Sequence, residues 1–237
     1  INNMGGVKNR LPLTYSLMLI GTLALTGFPL LSGFFSKDAI IEFAYLKNSS
    51  LGYYAASIGI FTALLTSIYS WRLLFKTFHG DYNNKSIEIG KIHESPMVMT
   101  IPLIILAIGS IFAGYFFKEL FIGFEKSYQF WNSSIFFLEP LSSEHPPKWF
   151  IFLTPTLVTV SIPIAYYFFV KRKDLLPIIV DNNRPFYNFL KNKWYFDEIY
   201  EFLFVKSLKK IGLYFWKKID GLVIDRFGPD GLSNLFK

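Results

Sequence analysis

The chain has 237 residues, with 24 Lys and Arg against 17 Asp and Glu, a net charge of +7 and no cysteine. Apolar residues make up 52% and charged residues 17%, below the roughly 25% charged content of soluble domains. That balance excludes a disordered tail, a disulfide scaffold and thiolate-held zinc or iron–sulfur centres, and it argues for lipid before nucleic acid.

The chain opens at Ile1 in a polar loop carrying Lys8 and Arg10, and it stops at Lys237 within an unfinished pattern, so it reads as a fragment of something longer. Four apolar stretches follow the opening loop, near residues 11–46, 51–78, 97–117 and 149–170. Each can cross a hydrocarbon core about 30 Å thick, which takes about 20 helical residues. Lipid offers backbone amides no partner, so such spans are helices or closed barrels. Long runs without period-2 alternation select helices. The expectation is an all-α polytopic membrane protein of four transmembrane helices, the first one broken, plus an amphipathic lateral helix.

The first span is the most informative. In GFPLLSGFFSKDAIIEF, Pro29 removes a backbone donor, and Gly27 and Gly33 weaken the helix further. Pro29 and Gly33 are therefore the expected helix-break residues. The apolar pattern continues beyond Lys37 and Asp38, which puts both ionisable groups within or at the edge of the hydrocarbon region. Such groups are costly unless paired or hydrated, and proton relays are a common use of them. A buried lysine shifts its protonation equilibrium readily. The alternative is a span ending at Phe35, with Lys37 snorkelling and Asp38 opening a loop or capping a short helix.

On the second span Thr62, Thr66 and Ser70 recur every four residues, a stripe that either wets a proton path or hydrogen-bonds a neighbouring helix. Arg72 and Lys76 near its end, Lys85 and Lys91 in the next loop, and Lys171, Arg172 and Lys173 after the fourth span all fall on the side of Lys8 and Arg10. The positive-inside rule makes that side cytoplasmic or matrix-facing, and it puts Lys37 toward the external end of its span. Lys47, Lys118, Lys126 and Lys148 fall opposite, with Phe121, Phe124, Trp131 and Phe136 suited to the external interface. His79, His93 and His145 read as loop residues without metal-ligand spacing. No nucleotide or nucleophile motif and no catalytic site of a soluble enzyme is present.

Residues 1–173 thus form the membrane part, 174–192 a linker and 193–237 the start of an interfacial helix. In that helix Leu208, Ile211, Phe215 and Ile219 share one face, with Lys206, Lys209, Lys210 and Lys217 on the other. The polar face of Asp197, Glu198 and Glu201 is rotated by roughly half a turn at 100° per residue. This implies a bend near Val205 or different neighbours for the two halves.

MGGVKNRLPLTYSLMLIGTLALTGFPLLSGFFSKDAI, TSIYSWRLLFKTFHG, KNKWYFDEIYEFLFV and WKKIDGLVIDRFGPDG resemble the antiporter-like subunits, of the L or chain 5 type, in proton-pumping NADH:quinone oxidoreductase, respiratory complex I. The resemblance covers the C-terminal part of that family. It implies an antiporter-type fold in which Lys37, with Asp38 beside it, is the terminal proton relay at a discontinuous helix. It also implies a lateral helix contacting other membrane-arm subunits, and no NADH, FMN, iron–sulfur cluster or quinone on this chain. A bacterial inner membrane is the expected setting, with the mitochondrial inner membrane as alternative. Two other functions stay open: the large subunit of a multisubunit cation/proton antiporter, and a structural membrane anchor without transport.

Overall fold

The structure is a computed structural model describing residues 4–83, 88–132, 134–135 and 146–236. Ile1, Lys85, Phe136, His145 and Lys237, with the side chain of Phe124, lie outside the described residues. Every regular element among the described residues is helical. In the first compact unit, residues 1–175, these are α1 (Pro12–Thr26), α2 (Ser32–Leu46), α3 (Ser50–Phe78), α4 (Met97–Phe121), α5 (Phe124–Trp131) and α6 (Lys148–Lys171).

Three of these, α3, α4 and α6, are long and apolar enough to cross a membrane. Much of their apolar surface faces outward, with Leu51 80%, Val98 82% and Phe116 72% exposed. Patches of that extent are untenable in water and ordinary in lipid. The span expected over residues 11–46 instead occurs as two 15-residue helices, each about 22 Å long and neither sufficient alone.

Side-chain contacts fix how the helices run. Tyr15 near the start of α1 packs on Phe78 at the end of α3. At the other end, Ala44 of α2 lies against Gly52 and Ile41 against Gly59. The α1–α2 pair therefore runs antiparallel along α3. The last helix runs parallel to α3, because Phe150 packs with Ile41 and Ala56 at one end and Tyr166 meets Phe75 at the other. Glu94, just before α4, sits at the start of α1, and Gly114 late in α4 meets Ser32. That makes α4 parallel to the α1–α2 pair. The core between α1, α3 and α6 is built on Trp71, Leu74, Phe75 and Phe78 with Val7 and Ala165.

Local chemistry sets the ends. Ser49 caps α3 by accepting from the Gly52 amide at 3.1 Å. The span after it begins behind Pro96, and α6 begins behind Pro147, since proline suits a helix start but not its interior. Pro155 and Pro163 nevertheless lie inside α6. The hydroxyls of Thr156 and Thr159 there donate to the Phe152 and Pro155 carbonyls. The last turn of α6, Tyr167–Lys171, widens into π geometry.

The second unit, residues 176–237, is considered by itself. The stretch 174–192, expected as a linker, carries α7 (Leu175–Asn182) and α8 (Arg184–Lys191), with Pro185 at the start of the second. After positive φ at Lys193, Trp194 and Tyr195, a helical run extends without a gap from Phe196 to Asp225. It comprises α9 (Phe196–Tyr200), a π turn (Glu201–Val205), α10 (Lys206–Tyr214) and a second π stretch (Phe215–Asp225). A short α11 (Pro229–Leu235) follows.

Candidate functional site

The interruption between α1 and α2 is built by residues 27–31. Gly27 takes φ +81 and closes α1: its amide donates to Ala24 and the Phe28 amide to Leu23. This pair of bonds is the Schellman arrangement, which needs a left-handed residue that glycine adopts without strain. Pro29 follows, and Leu30 has φ +72. Gly33 does not lie in the break, contrary to expectation. It sits in the first turn of α2, where a Cβ would stand 1.8 Å from the Ala24 carbonyl oxygen. Its role is close approach of two backbones.

Ser32, at the start of α2, joins the break to α4. Its hydroxyl donates to the Gly109 carbonyl at 3.0 Å and accepts from the Gly114 amide at 2.9 Å. A Cβ at Gly114 would strike Phe35 and Ser32, so glycine permits that contact too. Beside the break, an apolar groove is lined by Phe28, Pro29, Leu30, Ile111, Phe112 and Tyr115.

Lys37 points back across the interruption. Its stem passes over Gly27, and its ammonium donates to the Leu25 carbonyl at 2.5 Å. That carbonyl belongs to the last turn of α1, where the helix dipole is negative and the carbonyls lack helical partners. The half-buried lysine therefore replaces solvent at a helix end that lies inside the bundle. Extending the α2–α3 register by one turn puts Lys37 level with the middle of α3, deeper than the external end that residue order alone gives. Because α2 continues to Leu46, Phe35 is not the end of the segment.

Asp38 is half-buried on the next position, and Glu42 lies one turn further along the same face, close enough for their charges to repel. The one sequence signal for Glu42 is its spacing of four from Asp38.

The Thr62–Thr66–Ser70 stripe does not stay together as a polar surface. Thr62 is exposed, Thr66 is half-buried and donates to the Thr62 carbonyl at 2.7 Å, and Ser70 is buried. The polar contact that does cross helices is Ser67 with Ser161, both buried, at 2.5 Å. Their burial follows from which faces of α3 and α6 meet, which one helix's spacing does not reveal.

At the end of the bundle where α3 finishes, His79 is packed rather than loose. Its ring touches Tyr15, Phe75 and Tyr166, and its Nε2 is 3.1 Å from the Tyr15 hydroxyl. Burial, and then the charge of Lys8, push its imidazole below the usual range. Glu94 caps α1 from another part of the chain, accepting from the Leu13 and Thr14 amides and the Thr14 hydroxyl. Desolvation opposes its ionisation, but those hydrogen bonds, with one from the Ser95 amide, hold its carboxyl below the ordinary carboxylate range.

In the tail, Asp197 pairs with Lys193 at 2.8 Å and Glu201 lies 3.9 Å from Lys206. The Asp197 partner raises the Lys193 ammonium above its ordinary value. Glu198, Lys209 and Lys210 are exposed. The π turn at Glu201–Val205 lies where the polar face was expected to rotate. An extra residue in that turn re-phases the helix, so the rotation needs no sharp bend. Among the described residues no three His, Cys, Asp or Glu side chains gather as a metal site would require.

Comparison with known families finds two matches. Residues 69–237 match the family described as NADH dehydrogenase subunit 5 C-terminus. Residues 1–66 match NADH:quinone oxidoreductase/Mrp antiporter, transmembrane. A relative named NADH-ubiquinone oxidoreductase chain 5 from Phytophthora infestans is 41% identical over 100% of this chain and 36% of its own. Relatives of the same name from Marchantia polymorpha and Dictyostelium citrinum are 38% and 42% identical, over 98% and 83% of this chain and 36% and 30% of theirs. The chain thus spans about a third of the length of these relatives.

Proposed function

The chain belongs to the NADH dehydrogenase subunit 5 family, and from that premise we propose that it is the C-terminal part of a proton-translocating membrane-arm subunit of NADH:quinone oxidoreductase. Lys37 is the proton relay of this part, with Asp38 beside it and α1–α2 forming a fourth, interrupted crossing. The observation that carries the reading is the ammonium of Lys37 held on the Leu25 carbonyl across the break. A lysine there is both a helix terminator and an exchangeable proton store. A change in neighbouring charge alters its proton affinity, and release follows toward the external side.

On this reading NADH, FMN, iron–sulfur clusters and quinone belong to other subunits, which the tail helix contacts as a brace. The eukaryotic sources of the relatives favour the mitochondrial inner membrane over a bacterial one. A cation/proton antiporter subunit is the second reading, favoured by the shared family description of residues 1–66. The match of residues 69–237 to a subunit 5 C-terminus weighs against it.

The test is proton pumping by reconstituted complex carrying Lys37→Ala. The proton-to-electron ratio should fall while NADH oxidation continues in uncoupled membranes. An unchanged ratio would remove Lys37 from the mechanism.

A further inference from the structure

Basic side chains from three parts of the chain converge where α3 ends. Arg72 and Lys76 come from α3, Lys8 from the opening segment and Lys173 from the residues after α6. Backbone bonds hold the opening segment there, with the Lys8 amide donating to the Phe78 carbonyl and the Gly6 amide to the His79 carbonyl. The Lys8 ammonium lies 4.8 Å from the centre of the Tyr15 ring, and the Arg72 guanidinium 6.0 Å from that of Phe169. The charge of Lys76 is close to those of Arg72 and Lys173. Lys173 reaches back over Gly80 to Asp81 at 3.2 Å.

Topology alone does not ask for this. The positive-inside rule counts basic residues on one side of the membrane and is indifferent to whether they meet. Across residues 4–15, 70–83 and 166–174, seven Lys and Arg residues face two acids, Asp81 and Asp174, and Glu94 at the start of α1 adds a third that the Leu13 and Thr14 amides already occupy. Bringing such charges together costs free energy unless an anion shares the place. Their staggered depth says which anion. Arg72 projects six residues before the end of α3, about 9 Å along the helix, whereas Lys8 and Lys173 stand beyond the helix ends. Tyr15 lies by Lys8 and Phe169 by Arg72, and Tyr166 packs on the neighbouring His79, so amphipathic and apolar rings line this end of the bundle. An anion in water would meet only the outer lysines, whereas a lipid phosphate on its glycerol backbone reaches down to Arg72.

We propose that Lys8, Arg72, Lys76 and Lys173 form a binding site for the head group of an anionic phospholipid, clamping α1, α3 and α6 together at that face. Basic pockets between membrane helices are suited to this chemistry.

The full-length protein in its intact complex, delipidated in detergent, is titrated with spin-labelled phosphatidylglycerol and, separately, spin-labelled phosphatidylcholine. The immobilised fraction should be larger for the anionic lipid. Lys76→Gln with Lys173→Gln should weaken anionic binding about thirty-fold, as two basic contacts to a head group imply. Lys76→Arg with Lys173→Arg should retain it. Lys126→Gln with Lys148→Gln, an equal charge loss elsewhere, should leave it unchanged. If the double Gln variant does not assemble, Lys8→Gln alone, expected to weaken binding about five-fold, is read instead. Equal immobilisation of both lipids, or undiminished binding in the Gln variants, would overturn the proposal. So would displacement of the lipid by millimolar inorganic phosphate, which would assign the site to a soluble anion.

Discussion

The chain interrupts its helices in two places, and it does so differently. Between α1 and α2 the backbone leaves helical geometry for residues 27–31, inside a bundle of apolar helices. The freed groups are met by protein: the Gly27 and Phe28 amides bond back into α1, and the Leu25 carbonyl takes the Lys37 ammonium. At Glu201–Val205 the tail helix instead widens by one residue and stays hydrogen-bonded, with its side chains exposed. The lesson concerns solvent. Where lipid surrounds the helices, an opened backbone must import its own polar partners. A helix that widens but keeps its own backbone bonds needs no such partners, and the irregular turn only re-aims side chains.

The comparison can be broken most forcefully at Gly33. Gly33→Ala puts a methyl into the Ala24 backbone and should cost about 2–3 kcal/mol, the scale of overpacking. Loss of assembled protein and a lower Tm in detergent would show it, whereas near-native stability would mean that α1 and α2 do not approach so closely. Glu94→Ala is expected to cost about 1 kcal/mol, the scale of a lost N-cap. Because the folded Glu94 carboxyl titrates below its ordinary value, its contribution is complete above the unfolded value and is lost as pH falls through the folded one. His79 acts in the same sense, since its imidazole is also depressed and acid must charge a ring packed as neutral. Tm measured against pH should fall more steeply for the wild type than for Glu94→Ala once the pH drops below the ordinary carboxylate range, whereas the loss due to His79 should remain in both. Deleting Val205 from the π turn should leave the stability of residues 1–175 unchanged. It should rotate the face carrying Lys209 and Lys210 by about 100° relative to Asp197, and weaken association with partner subunits. Unaltered association would contradict a docked tail.

Much of the architecture was legible in the sequence because it follows from one-dimensional length. The uninterrupted helices fall within a few residues of the apolar runs, and Pro29 with Gly27 marked the break. The charge of Lys37 inside an apolar run marked it for attention, but its contact with the Leu25 carbonyl across the break depends on the fold. What escaped reading was whatever depends on two elements meeting. Gly33 passed for a helix breaker because its need for space comes from Ala24. His79 passed for a loop residue because its partners lie on α1 and α6. Ser67 and Ser161 were invisible for the same reason, while Thr62 looked polar enough to matter and proved exposed. Residues 174–192, expected as a linker, carry two helices of eight residues each, too short for a helical period to stand out in sequence.

Replacing Lys37 by arginine separates the contact with the Leu25 carbonyl from the proposed proton relay. The guanidinium can still donate to the Leu25 carbonyl, but it stays charged at every working pH. Proton-to-electron ratios in vesicles carrying Lys37→Arg complex should therefore drop although the complex assembles and melts like wild type. A full ratio with a permanently charged side chain at residue 37 would show that no proton passes through that position.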